Sequence, residues 1–429
     1  MNSPSNSTIG PDQNQTEKVA VLRGYSFVLG LQLAVCTAWA VSIPVDPVSD
    51  SVVFDQSARQ LSEGHGYVIS PGLPTAYWPV GTSFVHSCLY RIFGYSYAPG
   101  VVMNILLRLG TTFLTMRLAQ QWFGRRVGIL SGIALALWPS QTQFVTVIAS
   151  EIPFMFLSML AILIWTREQS SLWRRAILAG GVLATASYVR PIALLLPVVF
   201  VLLRVHQTKE ISRNLIAIIL MFAVISSLIA PWSIRNSRAF GQFVLLSTNG
   251  GANFWMGNNP NTEGAYMPLP ENTNGLNEAQ RDRELKNRAL EYLRRDPIAF
   301  VSRTFVKAVK LHDRETIGVH WNERGITFRW GKAALTPLKW WSQGFWLFAL
   351  ALAITGVFFL LKSNGVIKAM LHPCVLMWVY FGSVHAVIVI QDRYHFPSIP
   401  FIAILAGLAG SHIWGFRKTR ASQQQGVAT

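Results

Sequence analysis

Long stretches without a charged side chain constrain this protein more than any other feature of its sequence. Residues 214–232 and 341–361 are mostly apolar and contain no Asp, Glu, Lys or Arg. A helix needs about 20 such residues to cross the hydrocarbon core of a bilayer. Only 13% of the residues are charged, whereas soluble domains average about 25%. The chain is therefore predicted to be an all-α polytopic membrane protein, and an ordinary soluble enzyme or a disordered scaffold is excluded.

Similar apolar segments recur along the chain and predict about ten transmembrane helices. The predicted spans are residues 22–43, 98–121, 127–147, 152–166, 175–189, 191–203, 214–232, 341–361, 370–390 and 398–414. The three cysteines, Cys36, Cys88 and Cys374, all lie in apolar stretches. Neither a disulfide framework nor a metal cluster is indicated by that placement.

The remaining segments give the predicted domain organisation. The polar residues 1–18 are predicted to form a disordered tail. The predicted units are a cytoplasmic tail (1–18), a transmembrane catalytic module (19–232) that includes an outer loop (44–97), a periplasmic subdomain (233–340), C-terminal transmembrane helices (341–416) and a second cytoplasmic tail (417–429).

The distribution of basic residues predicts the orientation in the membrane. With the amino terminus in the cytoplasm, the cytoplasmic segments contain 16 Lys or Arg residues against four Asp or Glu residues. Short cytoplasmic connections normally carry such an excess of Lys and Arg. Both termini are therefore predicted to be cytoplasmic, with 44–97 and 233–340 on the outer face. The net charge of +17 is explained by this orientation and by lipid headgroups, so no nucleic-acid partner is predicted.

The first outer segment contains the pattern of a short amphipathic helix. Phe54, Ala58 and Leu61 recur at i, i+4 and i+7 after Asp50, which is the spacing of one helix face. Gly64 is predicted to end this helix, because glycine is favoured just beyond a helix C-terminus. The helix is expected to lie along the membrane surface.

The outer segments contain three further predicted helices. Residues 80–93 predict a second interfacial helix, and a stripe beginning at Leu285 predicts another helix that ends before Pro297. Proline fits the first turn of the helix that follows. That last helix carries an apolar stripe among Arg303, Lys307 and Lys310, a pattern typical of helices that rest on lipid headgroups.

Charged residues at the outer ends of the spans form the candidate site. They are Asp50, Glu151, Arg190, Arg235, Asp392 and Arg393. Ionisable groups at membrane depth are rare and are usually functional or paired. Carboxylates and guanidiniums at one face predict a site for an anionic substrate with a base beside it. Unrelated structural ion pairs remain the alternative, Asp50 could instead cap a helix, and Asp46 and Asp55 compete with it for the catalytic role.

A series of short motifs resembles a known enzyme family. The motifs are residues 49–50, 64–67, 74–81, 149–151, 189–191, 231–236, 247–251, 257–260 and 392–397. In order and spacing they are similar to those of bacterial GT-C fold glycosyltransferases related to the protein O-mannosyltransferases (glycosyltransferase family 39). The resemblance extends from about residue 45 to 410.

This resemblance implies an enzyme of the bacterial inner membrane that takes a sugar from a polyprenyl-phosphate carrier at the outer face. It implies that Asp50 is catalytic. Two features depart from the family: Phe54 replaces a frequent tyrosine, and Ser51 and Val52 stand where many relatives have a second acidic residue. These departures give no support to a bridging metal, so neither a metal nor another cofactor is predicted.

The residues suit this chemistry independently. Transfer to a hydroxyl needs a base, which is assigned to Asp50, and direct displacement with one base inverts the anomeric centre. Arginine binds phosphate through two parallel hydrogen bonds, so Arg235 and Arg393, with Arg190 as a weaker candidate, are predicted to bind the donor phosphate. Glu151 is predicted to orient an arginine or the acceptor, and Asp392 and Tyr394 complete the predicted substrate-binding set. The sugar and the acceptor, whether glycolipid, polysaccharide or protein, are left open.

A transporter or flippase of lipid-linked saccharide is the alternative function. It would explain the spans and the charges, but it leaves the large outer segment 233–340 without a role. Transporters also place charges near the bilayer midplane and often contain internal repeats, and no repeat is evident in this sequence.

Overall fold

The computed structural model describes residues 11–70, 72–208 and 210–426. Most of this part of the chain is helical. The first helices are α1 (Pro11–Ser42), α2 (Asp50–Ser62), α3 (Gly81–Phe93), α4 (Ala98–Phe123), α5 (Arg125–Ala136), α6 (Pro139–Gln143), α7 (Glu151–Trp165), α8 (Leu172–Val189), α9 (Leu196–Thr208) and α10 (Ile211–Phe240). The later ones are α11 (Gly250–Asn258), α12 (Glu278–Arg295), α13 (Pro297–Lys310), α14 (Ile317–Trp321), α15 (Glu323–Trp330), α16 (Leu335–Asn364), α17 (Val366–Met370), α18 (Pro373–Val387) and α19 (Ile399–Gly426).

Short elements connect these helices. Two strands, β1 (Val68–Ser70) and β2 (Leu73–Pro74), pair antiparallel in the first outer loop. The 3₁₀ turns are Phe144–Thr146, Pro191–Leu195, Glu271–Thr273, Lys332–Ala334 and Phe396–Ser398.

Fewer helices qualify as membrane spans than the sequence predicted. Among the described residues, five are long and apolar enough to cross a bilayer: Val19–Ser42, Ala98–Phe123, Ile211–Phe240, Lys332–Asn364 and Phe396–Gly415. A bent pair, Pro139–Thr146 with Glu151–Trp165, brings the number to six if it is one span. The polytopic, all-α character is confirmed, whereas the count of ten is not.

The third predicted span, 127–147, shows why the count differs. Its helix α5 ends at Ala136, and at 1.5 Å per residue it is too short to cross a core of about 30 Å. The following helix pair bends by 117°. Arg108 of α4 donates to the carbonyl of Leu135 at 2.6 Å and to Thr142 at 3.0 Å. This buried guanidinium therefore satisfies backbone that the break leaves exposed, as non-helical backbone at membrane depth requires.

Helix α19 lies at the centre of the bundle, where it packs against α5 and α16. Gly356 of α16 lies against the backbone of Leu405 in α19, where any Cβ would collide with the carbonyl oxygen. Small residues allow helices to approach this closely in membranes. The central helix thereby holds the loop that precedes it, which contains Arg393, in a fixed position.

The predicted helices of the first outer loop are confirmed. Helix α2 begins at Asp50, and Gly64 follows its end with φ +87°. Helix α3 corresponds to the predicted segment 80–93. Gly81 at its start packs so closely on the backbone of Tyr188 that a Cβ would lie 2.6 Å from the carbonyl oxygen. The loop is therefore seated on the outer end of α8.

The segment 233–340, which was predicted to form the outer subdomain, begins within α10, because that helix runs past residue 232 to Phe240 with Pro231 inside it. Its helix break at Asp296 is confirmed, and the Asp296 side chain caps α13 by accepting from the Ala299 amide at 2.9 Å. One expectation for α13 is wrong. Lys307, predicted to face headgroups, is only 1% exposed and points into the protein.

The terminal segments also differ from expectation. Helix α1 begins at Pro11 and α19 continues to Gly426, so parts of both predicted tails are helical. The predicted tail residues 1–10 and 427–429 lie outside the described residues.

Candidate active site

A cavity of about 190 Å³ lies at one end of the bundle, where α7 begins and where α8 and α18 end. The first turn of α2 and the helix α11 close its sides. Its lining residues are Asp50, Phe54, Tyr77, Trp78, Pro79, Ser150, Glu151, Val189, Arg190, Pro191, Ile192, Asn249, Asn253, Met256, Tyr266, His385, Ile388, Val389, Gln391, Arg393 and Tyr394.

Two carboxylates and two guanidiniums form one network in this cavity. Arg393 donates to Glu151 Oε1 at 3.1 Å and through its other terminal nitrogen to Asp50 Oδ2. Arg190 donates to the same Glu151 oxygen at 2.9 Å. The Glu151 side chain is fully buried, whereas that of Asp50 is 25% exposed. Asp50 is thus the carboxylate of the network that incoming molecules can reach.

Arg393 is held rigidly between its neighbours. Its Nε donates to Gln391 Oε1 at 2.9 Å, and its guanidinium lies 4.3 Å from the ring centroid of Trp321. Burial alone would lower the pKa of Arg393, but the carboxylates of Glu151 and Asp50 outweigh it and raise the pKa above its ordinary value. Arg393 is therefore a permanent, well-oriented cation.

Aromatic rings extend the network. The Arg190 guanidinium lies 5.2 Å from the ring centroid of Tyr394. The imidazole ring of His385 stacks on Tyr394, with 4.5 Å between the two ring centroids. Burial raises the pKa of Tyr394 and raises that of Tyr77 to about 12. Both phenols consequently keep their protons at neutral pH and can donate hydrogen bonds.

Two buried polar atoms in the cavity have no hydrogen-bond partner among the described residues. They are Oε2 of Glu151 and Nε2 of His385. Buried polar atoms are almost always paired, so such atoms beside a cavity indicate where a bound molecule would supply the missing partners.

The structure distinguishes Asp50 from the two competing aspartates. Asp55 is buried and accepts from Tyr90 at 2.6 Å and from Arg59 at 2.8 Å, so it joins α2 to α3. Asp46 pairs with Arg324 at 3.5 Å. Asp50 alone of the three lines the cavity, and it is not a helix cap, because α2 starts without a side-chain cap at Ser49.

The backbone just before Asp50 is unusual. Ser49 has φ +52° and is the one described residue other than glycine with a positive φ. A non-glycine residue in that region is strained, and such strain persists only where the surroundings impose it. The strained turn immediately precedes the first turn of α2, which carries Asp50, the partner of Arg393.

Arg235 and Asp392 do not reach the cavity. Arg235 donates to the carbonyls of Tyr67 at 2.6 Å and Thr75 at 2.7 Å. Its guanidinium therefore holds the first outer loop, and the phosphate contact predicted for it stays a prediction. Asp392 is not among the residues that line the cavity, and burial raises the pKa of its carboxyl group.

The lining residues that were not selected as site residues from the sequence include Tyr77, Asn249, Asn253, Tyr266 and His385. His385 carried a usable signal, because it is an ionisable residue inside the predicted span 370–390. Tyr77 and Asn249 lie in the motifs 74–81 and 247–251, whereas no pattern distinguishes Asn253 and Tyr266. Among the described residues no group of three His, Cys, Asp or Glu side chains is arranged to hold a metal ion.

The outer subdomain holds two walls of the cavity in place. Glu278, the first residue of α12, accepts from the Ala76 amide at 2.9 Å and from Thr248 at 3.1 Å. Asp282, one turn later, accepts from the Gly251 amide at 2.5 Å. These contacts fix the segments that carry Tyr77, Asn249 and Asn253.

Comparison with known proteins identifies the fold. No protein-family model and no curated protein matches the sequence. The structure is similar to archaeal oligosaccharyltransferase AglB from Archaeoglobus fulgidus, solved with an inhibitory peptide and a dolichol-phosphate, with a TM-score of 0.54 and 10% identity over 94% of this chain and 52% of AglB. It is also similar to ArnT from Cupriavidus metallidurans bound to undecaprenyl phosphate, with a TM-score of 0.55 and 15% identity over 92% of this chain and 63% of ArnT. The chain thus spans about half to three-fifths of the length of these neighbours and shares their GT-C fold.

Proposed function

We propose that this GT-C fold protein is a membrane glycosyltransferase that moves a sugar from a polyprenyl-phosphate donor to an acceptor hydroxyl at the outer face. The observation that supports it most is the network of Asp50, Glu151, Arg190 and Arg393 around one cavity. A base and two phosphate-binding cations within one site are what such a transfer requires. Both structural neighbours were solved with a polyprenyl-type phosphate, which agrees with this choice of donor.

The donor phosphate is bound by Arg393 and Arg190. Both guanidiniums pair with Glu151, and Arg393 pairs with Asp50 as well. A phosphate that enters the cavity competes with Asp50 for Arg393, whereas the fully buried Glu151 stays in place and orients both arginines. Binding of the donor therefore releases the Asp50 carboxylate from its ion pair and makes it available as a base.

The transfer is a direct displacement. The acceptor oxygen forms a bond to the anomeric carbon while the bond from that carbon to the phosphate oxygen breaks. Asp50 takes the proton of the acceptor hydroxyl, and the electron pair of the broken bond remains on the carrier phosphate. Arg393 and Arg190 stabilise that developing charge, as fixed cations do for a leaving phosphate. Attack from the face opposite the leaving group inverts the anomeric centre.

The remaining lining residues suit a sugar. Asn249, Asn253, Tyr77 and Tyr266 bring amide and phenol groups to the cavity, and sugar hydroxyls need partners that both donate and accept. The unpaired Nε2 of His385 is placed to donate a hydrogen bond to the carrier phosphate. The Tyr394 ring contacts both His385 and Arg190.

The outer subdomain forms a lid over this chemistry. It supplies Asn253, Met256 and Tyr266 to the lining, and it is anchored through Glu278 and Asp282. Exclusion of water protects an activated donor from hydrolysis. We place the lid in the periplasm of a bacterial inner membrane, with a glycolipid, a polysaccharide or a protein as the acceptor.

The test uses the full chain in lipid nanodiscs with a panel of undecaprenyl-phosphate hexoses and pentoses. Release of undecaprenyl phosphate that depends on an added acceptor is expected for the wild type and for Asp46→Asn, and it should be lost in Asp50→Asn. Movement of a lipid-linked sugar across the bilayer of a proteoliposome without cleavage would instead support the transporter alternative and would overturn the proposal.

A further inference from the structure

A second cavity, of about 420 Å³, lies at the opposite end of the same helices that form the active site. Its lining residues are Gln121, Trp122, Trp165, Thr166, Glu168, Arg175, Leu203, Arg204, His372 and Pro373. Helices α7 and α18 present opposite ends to the two cavities, and so does α8: its last residue, Val189, lines the first and Arg175 lines the second. By the charge distribution, this second cavity opens at the cytoplasmic face.

A buried cation with unused hydrogen-bonding capacity faces this cavity. Arg175 is 5% exposed and donates from Nη1 to the carbonyl of Trp165 at 3.1 Å. Its Nε is buried without a hydrogen-bond partner among the described residues, and no described carboxylate forms an ion pair with it. A buried charge without a close counterion is costly and is normally paired. The unpartnered Nε of Arg175 therefore indicates where a bound anion would supply a hydrogen-bond acceptor.

A second guanidinium faces the same space from a different helix. Arg204 near the end of α9 lines the cavity and pairs with Glu210 across 4.0 Å. Glu168 is the one carboxylate among the lining residues. The lining therefore contains two guanidiniums from two helices and one carboxylate.

The rest of the lining has the composition of a membrane interface. Trp122, Trp165 and His372 form one wall, and the rings of Trp122 and His372 meet edge to face at 5.5 Å. Tryptophan is enriched at the level of lipid headgroups. Basic pockets between transmembrane helices on the cytoplasmic side bind anionic headgroups.

We propose that this cavity binds a phosphate monoester or diester, with Arg175 and Arg204 as its ligands. Guanidinium groups suit the site because they donate two parallel hydrogen bonds to phosphate oxygens. The anion can reach the cavity as the headgroup of an inner-leaflet phospholipid or as a soluble phosphate from the cytoplasm. The proposal concerns the end of the bundle away from the active site and does not depend on the transfer reaction.

The experiment measures binding of dioleoylphosphatidylglycerol to the full chain in neutral detergent by native mass spectrometry. Arg175→Gln and Arg204→Gln are each expected to weaken binding about ten- to a hundredfold, because each removes a charged hydrogen bond. Arg174→Gln is the matched control: Arg174 is the exposed neighbour on α8 and is absent from the lining. The Arg174→Gln variant should bind dioleoylphosphatidylglycerol as tightly as the wild type does.

Dioleoylphosphatidylcholine and inorganic phosphate are the comparison probes. A rise in melting temperature with inorganic phosphate that both cavity variants lose supports the proposal with a soluble anion as the ligand. If both cavity variants lose phosphatidylglycerol binding and inorganic phosphate has no effect on the melting temperature, the proposal is supported with a lipid as the ligand. The proposal would be overturned if all three variants bound phosphatidylglycerol, phosphatidylcholine and inorganic phosphate as well as the wild type does. Arg204→Gln keeps the test decisive if Arg175→Gln does not fold, because Arg204 lies nearer the surface.

Discussion

Arg393 and Glu151 are 242 positions apart in the sequence, yet Arg393 Nη1 donates to Glu151 Oε1 at 3.1 Å in the middle of the cavity. Glu151 starts α7 and Arg393 lies in the loop before α19, so the pair connects two helices of the bundle at their outer ends. The same guanidinium reaches Asp50 from its other nitrogen. The position of the proposed base is thus coupled to the packing of the bundle.

Replacement of the proposed base should separate catalysis from binding. Asp50→Asn is expected to lower turnover by about 10²–10⁴-fold, because an amide cannot take the acceptor proton. Affinity for undecaprenyl phosphate should be retained or increased, because the carboxylate no longer competes with the phosphate for Arg393. Release of labelled carrier and equilibrium binding of undecaprenyl phosphate measure the two effects, with Asp46→Asn as the control. Wild-type turnover in Asp50→Asn would remove Asp50 from the catalytic role.

The pair Glu151 and Arg393 should show energetic coupling. In a double-mutant cycle of Glu151→Gln and Arg393→Ala, the free energies of unfolding are expected to be non-additive by roughly 0.5–3 kcal/mol, because each single change leaves a buried charge with fewer partners. Unfolding in mixed micelles of dodecylmaltoside and sodium dodecyl sulfate provides the measurement. The cycle of Asp46→Asn with Arg393→Ala serves as the reference and should be additive. Additivity in both cycles would contradict the network.

Replacement of Arg235 and of Arg393 should affect donor binding differently, although the sequence predicted both residues to bind the donor phosphate. Arg393→Ala is expected to weaken binding of undecaprenyl phosphate about ten- to a hundredfold. Arg235→Ala should leave that affinity close to wild type and should instead increase proteolysis of the first outer loop, because the carbonyls of Tyr67 and Thr75 lose their donor. Binding assays and limited trypsin digestion check both. A large loss of affinity in Arg235→Ala with an intact loop would restore the phosphate role predicted from sequence.

Lys307 should make stability depend on pH. Its Nζ donates to the carbonyl of Gly257 at 3.0 Å and to Asn258 Oδ1 at 2.9 Å. Burial, with the nearby Arg303 as a smaller cause, lowers the pKa of Lys307 from 10.5 to about 8. Between these two values the unfolded state binds more protons than the folded state, so stability should rise with pH by up to about 1.4 kcal/mol per unit.

The control for this effect is Lys307→Met, in which the rise between about pH 8 and the unfolded pKa of about 10.4 should disappear. Lys310→Met, which removes a neighbouring exposed lysine of the same helix, should keep it. Unfolding midpoints measured across this pH range decide the matter. Identical pH profiles in the wild type and in Lys307→Met would show that Lys307 does not titrate there.

The topology can be tested by cysteine labelling in intact cells. In a background with Cys88→Ser, an impermeant maleimide should label Asn274→Cys but not Gln169→Cys, since the first is placed outside and the second inside. Both positions are exposed in the structure, so failure to label reports the membrane side and not burial. The reverse labelling pattern would move the active site to the cytoplasmic face.

Local sequence signals predicted the short helices well. The starts of α2 and α13, the glycine that follows the end of α2 and the extent of α3 were predicted within a few positions from the residue types and the apolar spacing of each element. The break after Ala136 was not predictable in this way, because the apolar run 127–147 continues through it. Arg108, from another helix, donates to the Leu135 carbonyl at that break.

The low charge content and the apolar runs of the sequence determined by themselves that this chain is a helical membrane protein, because burial of backbone in lipid permits few alternatives. They also marked Asp50, Glu151, Arg190 and Arg393 as candidates. Only the tertiary structure decided which charged residues meet in the cavity. Arg235 and Lys307 are cations like Arg190 and Arg393, but they donate to backbone carbonyls outside the cavity. The direction of a charged side chain depends on which acceptors the packing of distant helices brings within about 3 Å, and no pattern along the chain records that.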